Sequence, residues 1–282
     1  MNKRKLEEAF FKGLMLLSIS IVVGSLLAVF AVVILKGLPA LSLSMLTQTP
    51  RGGYYLGKEG GILNAIIGSL YLAGGATALA FLLSLPIALY INEYAGKSRF
   101  ASFTRLSLDV SWGIPSIAYG AFAFIIMLYL GARASLLWGI ITVTLLVLPI
   151  MTRAIDEVIK MFPFKLREAS YALGSTRLET ALKVVTRQAL PGILTAVLLA
   201  FGRGIGDAAS VLFTAGYTDS VPTSLFDPVA TLPLAVFFQL GTPIPEVQQR
   251  AYASGVILLV LVLLLSIVSR LSTRKLMKYV IK

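Results

Sequence analysis

Long apolar runs separated by short charged segments dominate the pattern of this chain. A helix crossing the hydrocarbon of a bilayer needs about 20 mostly apolar residues. Six stretches meet or approach that length: residues 14–35, 65–91, 114–130, 136–152, 192–216 and 252–268. The third and fourth are short and joined only by residues 131–135, Gly-Ala-Arg-Ala-Ser, which predicts a tight hairpin between them. A seventh apolar stretch, 229–240, is too short to span, and Pro228 and Pro233 bracket its start, so a re-entrant or interfacial helix is expected there. The pattern is all-α and polytopic, one transmembrane domain over 1–282 with no linker or separate soluble domain.

Charge then orients the spans. Six spans put both ends of the chain on one side of the membrane. Nineteen Lys and Arg fall on that side, in clusters at 3–12, 97–105, 153–187 and 270–282, against five opposite: Lys36, Arg51, Lys58, Arg133 and Arg250. Positive residues favour the cytoplasmic face, so both termini and segment 153–191 are expected in the cytoplasm. The first apolar run, at about 23 residues, exceeds the 7–15 apolar residues of a signal-peptide core and reads as a retained span. Residues 37–61 and 217–251 form the long external loops.

Composition narrows the chemistry. The 282 residues are 57% hydrophobic and only 13% charged, and mean hydropathy is +0.86. Soluble domains carry about 25% charged residues. The net charge of +12 is accounted for by the inner face and asks for no nucleic-acid partner. With no Cys and no His, disulfides, thiol nucleophiles, the commonest metal ligand and the usual near-neutral proton carrier are all missing. No metal site, cofactor or catalytic constellation is expected.

Segment 153–191 is a charged, helix-prone island interrupted by Pro163. Asp156 and Glu157 are read as preceding one short helix, a second covers about 165–174, and Ser175 is placed to cap a third. Gly174 is expected to turn the chain where a side chain would clash. Leu166, Ala169, Tyr171 and Leu173 give an apolar side. The segment fits a short helix presented to a partner. The alternative is an amphipathic helix resting on lipid, against which its length and its acidic residues argue.

Two arginines break the apolar pattern. Arg203 and Asp207 stand at i and i+4 in the fifth span, among Gly202, Gly204 and Gly206. A charge near a helix centre costs about 2.5–3.5 kcal/mol on insertion scales and commonly marks a pathway or a partner. Arg153 ends the fourth span with Glu157 again at i+4. The planar guanidinium fork suits an oxyanion. Structural ion pairing of Arg203 with Asp207, and interfacial anchoring by Arg153, are the plain readings beside that of an anion pathway.

The island also resembles the cytoplasmic coupling loop of ABC importer permeases. Glu168 and Ala169 match the opening of its pattern, with Ser170 third, and Gly174 follows six residues after the Glu. Val184 takes the aliphatic position, and Leu190-Pro191 comes four residues later than the usual Leu-Pro. Further segments, 60–71, Tyr90-Ile91-Asn92-Glu93-Tyr94, Pro115-Ser116-Ile117, Tyr171-Ala172-Leu173-Gly174 and Leu212-Phe213-Thr214-Ala215, resemble in order the A-type permease subunit of bacterial phosphate importers. The resemblance spans 60–216 most clearly and extends weakly to about 270. It departs at Asp207, where a Glu is usual, and at Ser210, where Pro is frequent.

The resemblance implies a type I ABC importer permease fold with six transmembrane helices. It implies a homologous second permease subunit, two cytoplasmic ATPase subunits that hydrolyse ATP, and an extracytoplasmic phosphate-binding protein. By the same resemblance Glu168, Ala169 and Gly174 lie at the ATPase contact. Arg153 and Arg203, with Glu157 and Asp207, are implicated in phosphate passage. Residues around Tyr54-Tyr55 and 219–246 are candidates to meet the binding protein.

Rival readings stay open on these residues alone. The coupling motif also suits a permease for sulfate or molybdate. A secondary transporter driven by an ion gradient usually shows internal repeats and midplane acids, and this chain has no convincing repeat and one such acid. Residues 52–58, Gly-Gly-Tyr-Tyr-Leu-Gly-Lys, have P-loop spacing but lack the following Ser/Thr, which is Glu59, and any preceding strand. They are not expected to bind nucleotide.

Overall fold

The computed structural model describes residues 3–51 and 59–276. The P-loop-like residues 52–58 and the Tyr54-Tyr55 pair lie outside the described residues. Helix α1 (Lys3–Gly37) leads through a short turn to α2 (Leu43–Thr47) and a two-stranded antiparallel ribbon, β1 (Pro50–Arg51) with β2 (Glu59–Gly60). Then follow α3 (Leu63–Leu89), α4 (Arg99–Trp112), α5 (Ser116–Tyr129) and α6 (Leu136–Lys160). Next come α7 (Phe164–Ala172), α8 (Arg177–Glu179), α9 (Thr186–Ile205), α10 (Leu232–Leu240) and α11 (Pro245–Leu276). A wider, π-type turn extends α3 over Tyr90–Tyr94, and another joins α8 to α9 over Thr180–Val185.

Five helical stretches are long and apolar enough to cross a membrane, and the bent pair α4–α5 counted as one span makes six. The first span, α1, buries none of its apolar window in the protein, whereas α6 buries 67% of its own. The exposed Leu, Ile, Val and Phe of α1 therefore face lipid or a partner chain, as a bilayer permits. The short apolar stretch near 229–240 becomes α10, only nine residues long and too short to span.

At the centre α3 packs on α6. The contact face of α3 is small: Ala73, Ala76, Ala80 and Ala88 are fully buried, with Ser84 among them. Small side chains let two backbones approach where no hydrophobic drive separates helix from lipid, and hydroxyls then bridge them. The Thr152 hydroxyl donates to Ser84 Oγ at 2.9 Å, and that of Thr144 to the Ala76 carbonyl at 3.3 Å. Val143, Val147, Met151, Ile155 and Ile159 complete this core. The outer end of α6 is capped by the external segment: the Leu136 and Leu137 amides donate to the carbonyls of Asp227 and Leu225, both at 2.8 Å.

The structure corrects four expectations. The third span is not one helix, since α4 and α5 meet at 99°. Pro115 lacks an amide donor and disfavours a helical Ile114, so the chain breaks there. The fourth helix does not end at 152 but runs to Lys160, so Asp156 and Glu157 lie inside it rather than ahead of a separate helix. The fifth span stops at Ile205, not at 216, because three glycines in five residues weaken it there. The cap of the third cytoplasmic helix is Thr176, one residue beyond Ser175, in a reciprocal capping box with Glu179.

Candidate functional site

Three groups of charged residues stand along the molecule. The first is Arg203 with Asp207. Arg203 occupies the last turn of α9, where a cation also complements the helix dipole. Asp207 lies just past the helix end rather than on it. Arg203 Nη1 donates to Asp207 Oδ1 at 2.8 Å, and Asp207 Oδ2 accepts the Ser210 amide at 2.9 Å. The Asp207 side chain is nearly buried, while that of Arg203 is 42% exposed. The carboxylate is thus fixed by the turn that follows α9, and the guanidinium keeps donors free toward an open groove between α9 and α11.

The second group surrounds Arg153 near the C-terminal end of α6. The predicted i,i+4 pair exists, with Arg153 to Glu157 at 3.1 Å. Its stronger partners are Asp109 of α4 at 2.6 Å and Asp156 at 2.5 Å. Asp156 is fully buried and also receives Arg105 at 3.1 Å and Lys160 at 2.8 Å. Asn92, beyond α3, donates to it at 2.8 Å. A carboxylate withdrawn from water is tolerated when charges and donors surround it this way.

The two arginines are not brought together. A Cβ on Gly204 would touch Val143 and Val147 of α6, which sets the level of its neighbour Arg203. Arg153 is then about 9–15 Å further along toward the C-terminal end of α6 at 1.5 Å per residue. Arg203 opens on α11, whereas Arg153 is drawn toward α4.

The third group is the segment between α6 and α9. Helix α7 carries Glu168 and Ala169, both exposed, and Gly174 follows in a left-handed conformation with φ +82°. No atom lies within 4 Å of a Cβ built there. The expected clash is therefore absent, and Gly174 is suited to its place by backbone conformation. Apolar side chains crowd the free side, with Leu173 87%, Met161 75% and Phe164 65% exposed. The other side is anchored: Ser170 and Thr180 share a 2.9 Å hydrogen bond, and Arg167 pairs with Glu93.

Asp156, Asn92, Arg105, Asp109, Glu93 and Arg167 were missed as site residues in the sequence. One signal was available for Asp156, which falls in phase with buried Pro149 and Thr152 on α6. The partners on α3 and α4 leave no such mark. Among the described residues there is no cluster of three or more acidic groups suited to a metal ion.

A helical membrane protein with a bent third span, the short anchored helix α7 and an arginine–aspartate turn at the end of α9 has the build of a transport permease. Residues 84–278 match the family described as binding-protein-dependent transport system inner membrane component, and the chain belongs to that family. It is 33% identical to the phosphate transport system permease protein PstA of Haemophilus influenzae, over 95% of this chain and 94% of that one. With the PstA of Yersinia pestis it shares 34% identity over 83% of this chain and 79% of the other.

The fold has solved counterparts. A chain of the bacterial alginate ABC transporter superposes with a TM-score of 0.66 at 13% identity, covering 97% of this chain and 96% of that chain. A chain of the inward-facing MetNI methionine ABC transporter gives 0.62 at 19% identity, covering 76% and 95%. At such identities the likeness speaks for the fold.

Proposed function

We infer that this chain is the membrane-spanning permease subunit of an ATP-driven phosphate importer, forming half of the translocation path. The observation that carries the reading is the near full-length similarity to PstA permeases at 33% identity. The sulfate, molybdate and ion-gradient alternatives have no comparable support.

The whole of 1–282 is read as one permease domain with cytoplasmic termini in the inner membrane. It works with a related second permease subunit, a cytoplasmic ATPase pair and an extracytoplasmic phosphate-binding protein. ATP is hydrolysed by the ATPase pair. The exposed Glu168, Ala169 and Gly174, beside the apolar Leu173, form the surface that meets the ATPase. An exposed apolar patch rimmed by polar groups is the usual mark of a protein contact. Closing of the ATPase changes the path only through binding free energy that differs between its two states.

Arg203 acts on the anion. A phosphate dianion leaving water for a low-dielectric passage meets a large electrostatic barrier. A guanidinium offering charge and paired donors lowers it, and Asp207 holds that guanidinium until the anion competes for it. Arg153 and Glu157, enclosed by Asp109 and Asp156, act at the cytoplasmic mouth, where an arriving anion would exchange with those carboxylates.

The test is ATP-dependent uptake of labelled phosphate, sulfate and molybdate by cells lacking their own phosphate permease, expressing this chain with its partner subunits. Phosphate uptake that disappears when this chain is omitted, or when Arg203→Gln replaces it in an assembled complex, is expected. Uptake of sulfate or molybdate in place of phosphate would overturn the substrate, and normal uptake by Arg203→Gln would remove Arg203 from the mechanism.

A further inference from the structure

The groove onto which Arg203 opens holds a second arginine. It encloses about 690 Å³ between α9 and α11, and Arg203 and Arg270 both line it with the hydroxyls of Thr195, Ser266, Ser269 and Thr273. Sequence alone assigns Arg270 to the cytoplasmic positive cluster. The packing puts it in the same groove as the buried-span arginine. Among the described residues no carboxylate lies within ion-pairing distance of Arg270, whereas Arg203 is held by Asp207.

The register of the two helices follows from Thr195 and Thr273, whose hydroxyls meet at 3.2 Å. Arg203 stands eight residues from Thr195 and Arg270 three from Thr273. At 1.5 Å per residue on antiparallel helices, Arg270 is about 7–8 Å nearer the cytoplasm than Arg203. That separation is within the combined reach of two extended guanidinium side chains.

We propose that Arg270 is a second station for the transported oxyanion, receiving phosphate from Arg203 on the cytoplasmic half of the path. The inference rests on the phosphate-importer reading. An anion bound tightly at one cation would be slow to leave. Conduction favours several sites of moderate strength over one deep one. Asp207 already competes at Arg203, so a guanidinium one step inward that no carboxylate among the described residues engages draws the anion forward. The Ser269 hydroxyl in the same groove offers a donor on the way. A phospholipid headgroup presents the same phosphate chemistry, and the experiment separates the two sources.

The chain contains no Cys, so Ser266→Cys places the one thiol of this subunit in the groove. The assembled transporter carrying that change, in liposomes of zwitterionic lipid, is labelled with a charged thiol reagent and read on this chain's gel band. Inorganic phosphate at saturating concentration is expected to slow labelling severalfold, sulfate to do so much less, and Arg270→Gln to abolish the protection. In the Cys-free chain, Arg270→Gln is expected to raise the phosphate KM of uptake about tenfold or more, with subunit assembly unchanged and Arg270→Lys recovering part of the loss. Equal labelling with and without phosphate, or unaltered uptake by Arg270→Gln where Arg203→Gln is inactive, would overturn the second station and leave the importer reading standing. Slowing that follows added anionic lipid rather than phosphate would assign the groove to a headgroup. Absence of phosphate uptake by the unmodified complex would overturn both readings.

Discussion

Arg167 of the short helix α7 pairs with Glu93, in the turn that ends α3, at 2.9 Å. The same guanidinium donates to the carbonyls of Phe162 at 3.0 Å and Ile159 at 3.2 Å, and it lies over the Phe162 ring. One side chain thereby closes the open C-terminal end of α6 and joins it to α3 and α7. Loose carbonyls at a helix end need such partners. In the proposed coupling, movement imposed on α7 would reach the two central spans through this joint.

Breaking the joint is expected to uncouple the transporter. Glu93 is only 2% exposed, and removal of one partner of a buried pair typically costs about 3–5 kcal/mol. Arg167→Ala should lower the thermal midpoint of the purified complex and reduce phosphate uptake per ATP hydrolysed. Arg167→Lys should keep more stability but not the coupling, since an ammonium cannot reproduce the fork. Equal uptake per ATP in all three forms would show the joint to be structural only.

The ion network of α4 and α6 should respond unequally to loss of its acids. Asp156 is fully buried with three cations on it, so Asp156→Ala is expected to cost about 3–5 kcal/mol. Asp109 is half exposed, and Asp109→Ala should cost no more than about 1 kcal/mol. Denaturation midpoints in detergent check the ranking, and a larger loss from Asp109 would contradict it.

At Gly174 the backbone sets the expectation. Gly174→Ala puts a Cβ into a left-handed conformation at about 1–2 kcal/mol, felt in the loop and not in the core. A bulky residue there should abolish capture of the ATPase subunit while the permease still accumulates in the membrane. Co-purification of the two subunits measures this, and full retention would separate Gly174 from the contact.

Close approach should make two other glycines intolerant. A Cβ at Gly120 would sit 2.6 Å from the Ser210 carbonyl oxygen, and one at Gly68 would run into the Ala230 carbonyl. Both obstacles are backbone, so neither yields cheaply. Overpacking of this kind costs about 1–3 kcal/mol or more, and Gly120→Ala should also shift the turn that holds Asp207 and Ser210. Membrane accumulation should fall for both, against no change for Gly74→Ala, which has open space around it.

The external cap of α6 should loosen in acid. Amides of Thr223 and Ser224 and the Thr223 hydroxyl all donate to Asp227, which holds its carboxyl below the usual carboxylate range. Such a group stabilises the fold above its unfolded pKa, about 3.9, and that contribution disappears as pH falls through the lower folded value. Hydrogen-exchange protection of the Leu136 and Leu137 amides should therefore decrease below about pH 4. Asp227→Asn should show the weaker protection already at neutral pH.

The apolar runs and the distribution of Lys and Arg were enough to specify a polytopic helical protein and which helices cross. That follows because a bilayer demands about 20 apolar residues per span whatever the partners. The short helix near 165–174 and the glycine that ends it were readable too, because helical spacing and a left-handed turn are local properties. The helix ends at Ile205 and Lys160, and the 99° bend before Ser116, were placed less well. Apolar residues continue past all three, and hydropathy does not register where hydrogen bonding stops. The i,i+4 pairs of Arg153 with Glu157 and Arg203 with Asp207 were local, but tertiary structure alone decided which charges meet from distant segments. Asp156 meets Arg105 from 51 residues away and Arg167 meets Glu93 from 74. Arg270 comes to share a groove with Arg203 only because α9 and α11 pack antiparallel. An ion pair between distant segments depends on how whole helices lie against one another, and that arrangement is written in packing rather than in local pattern.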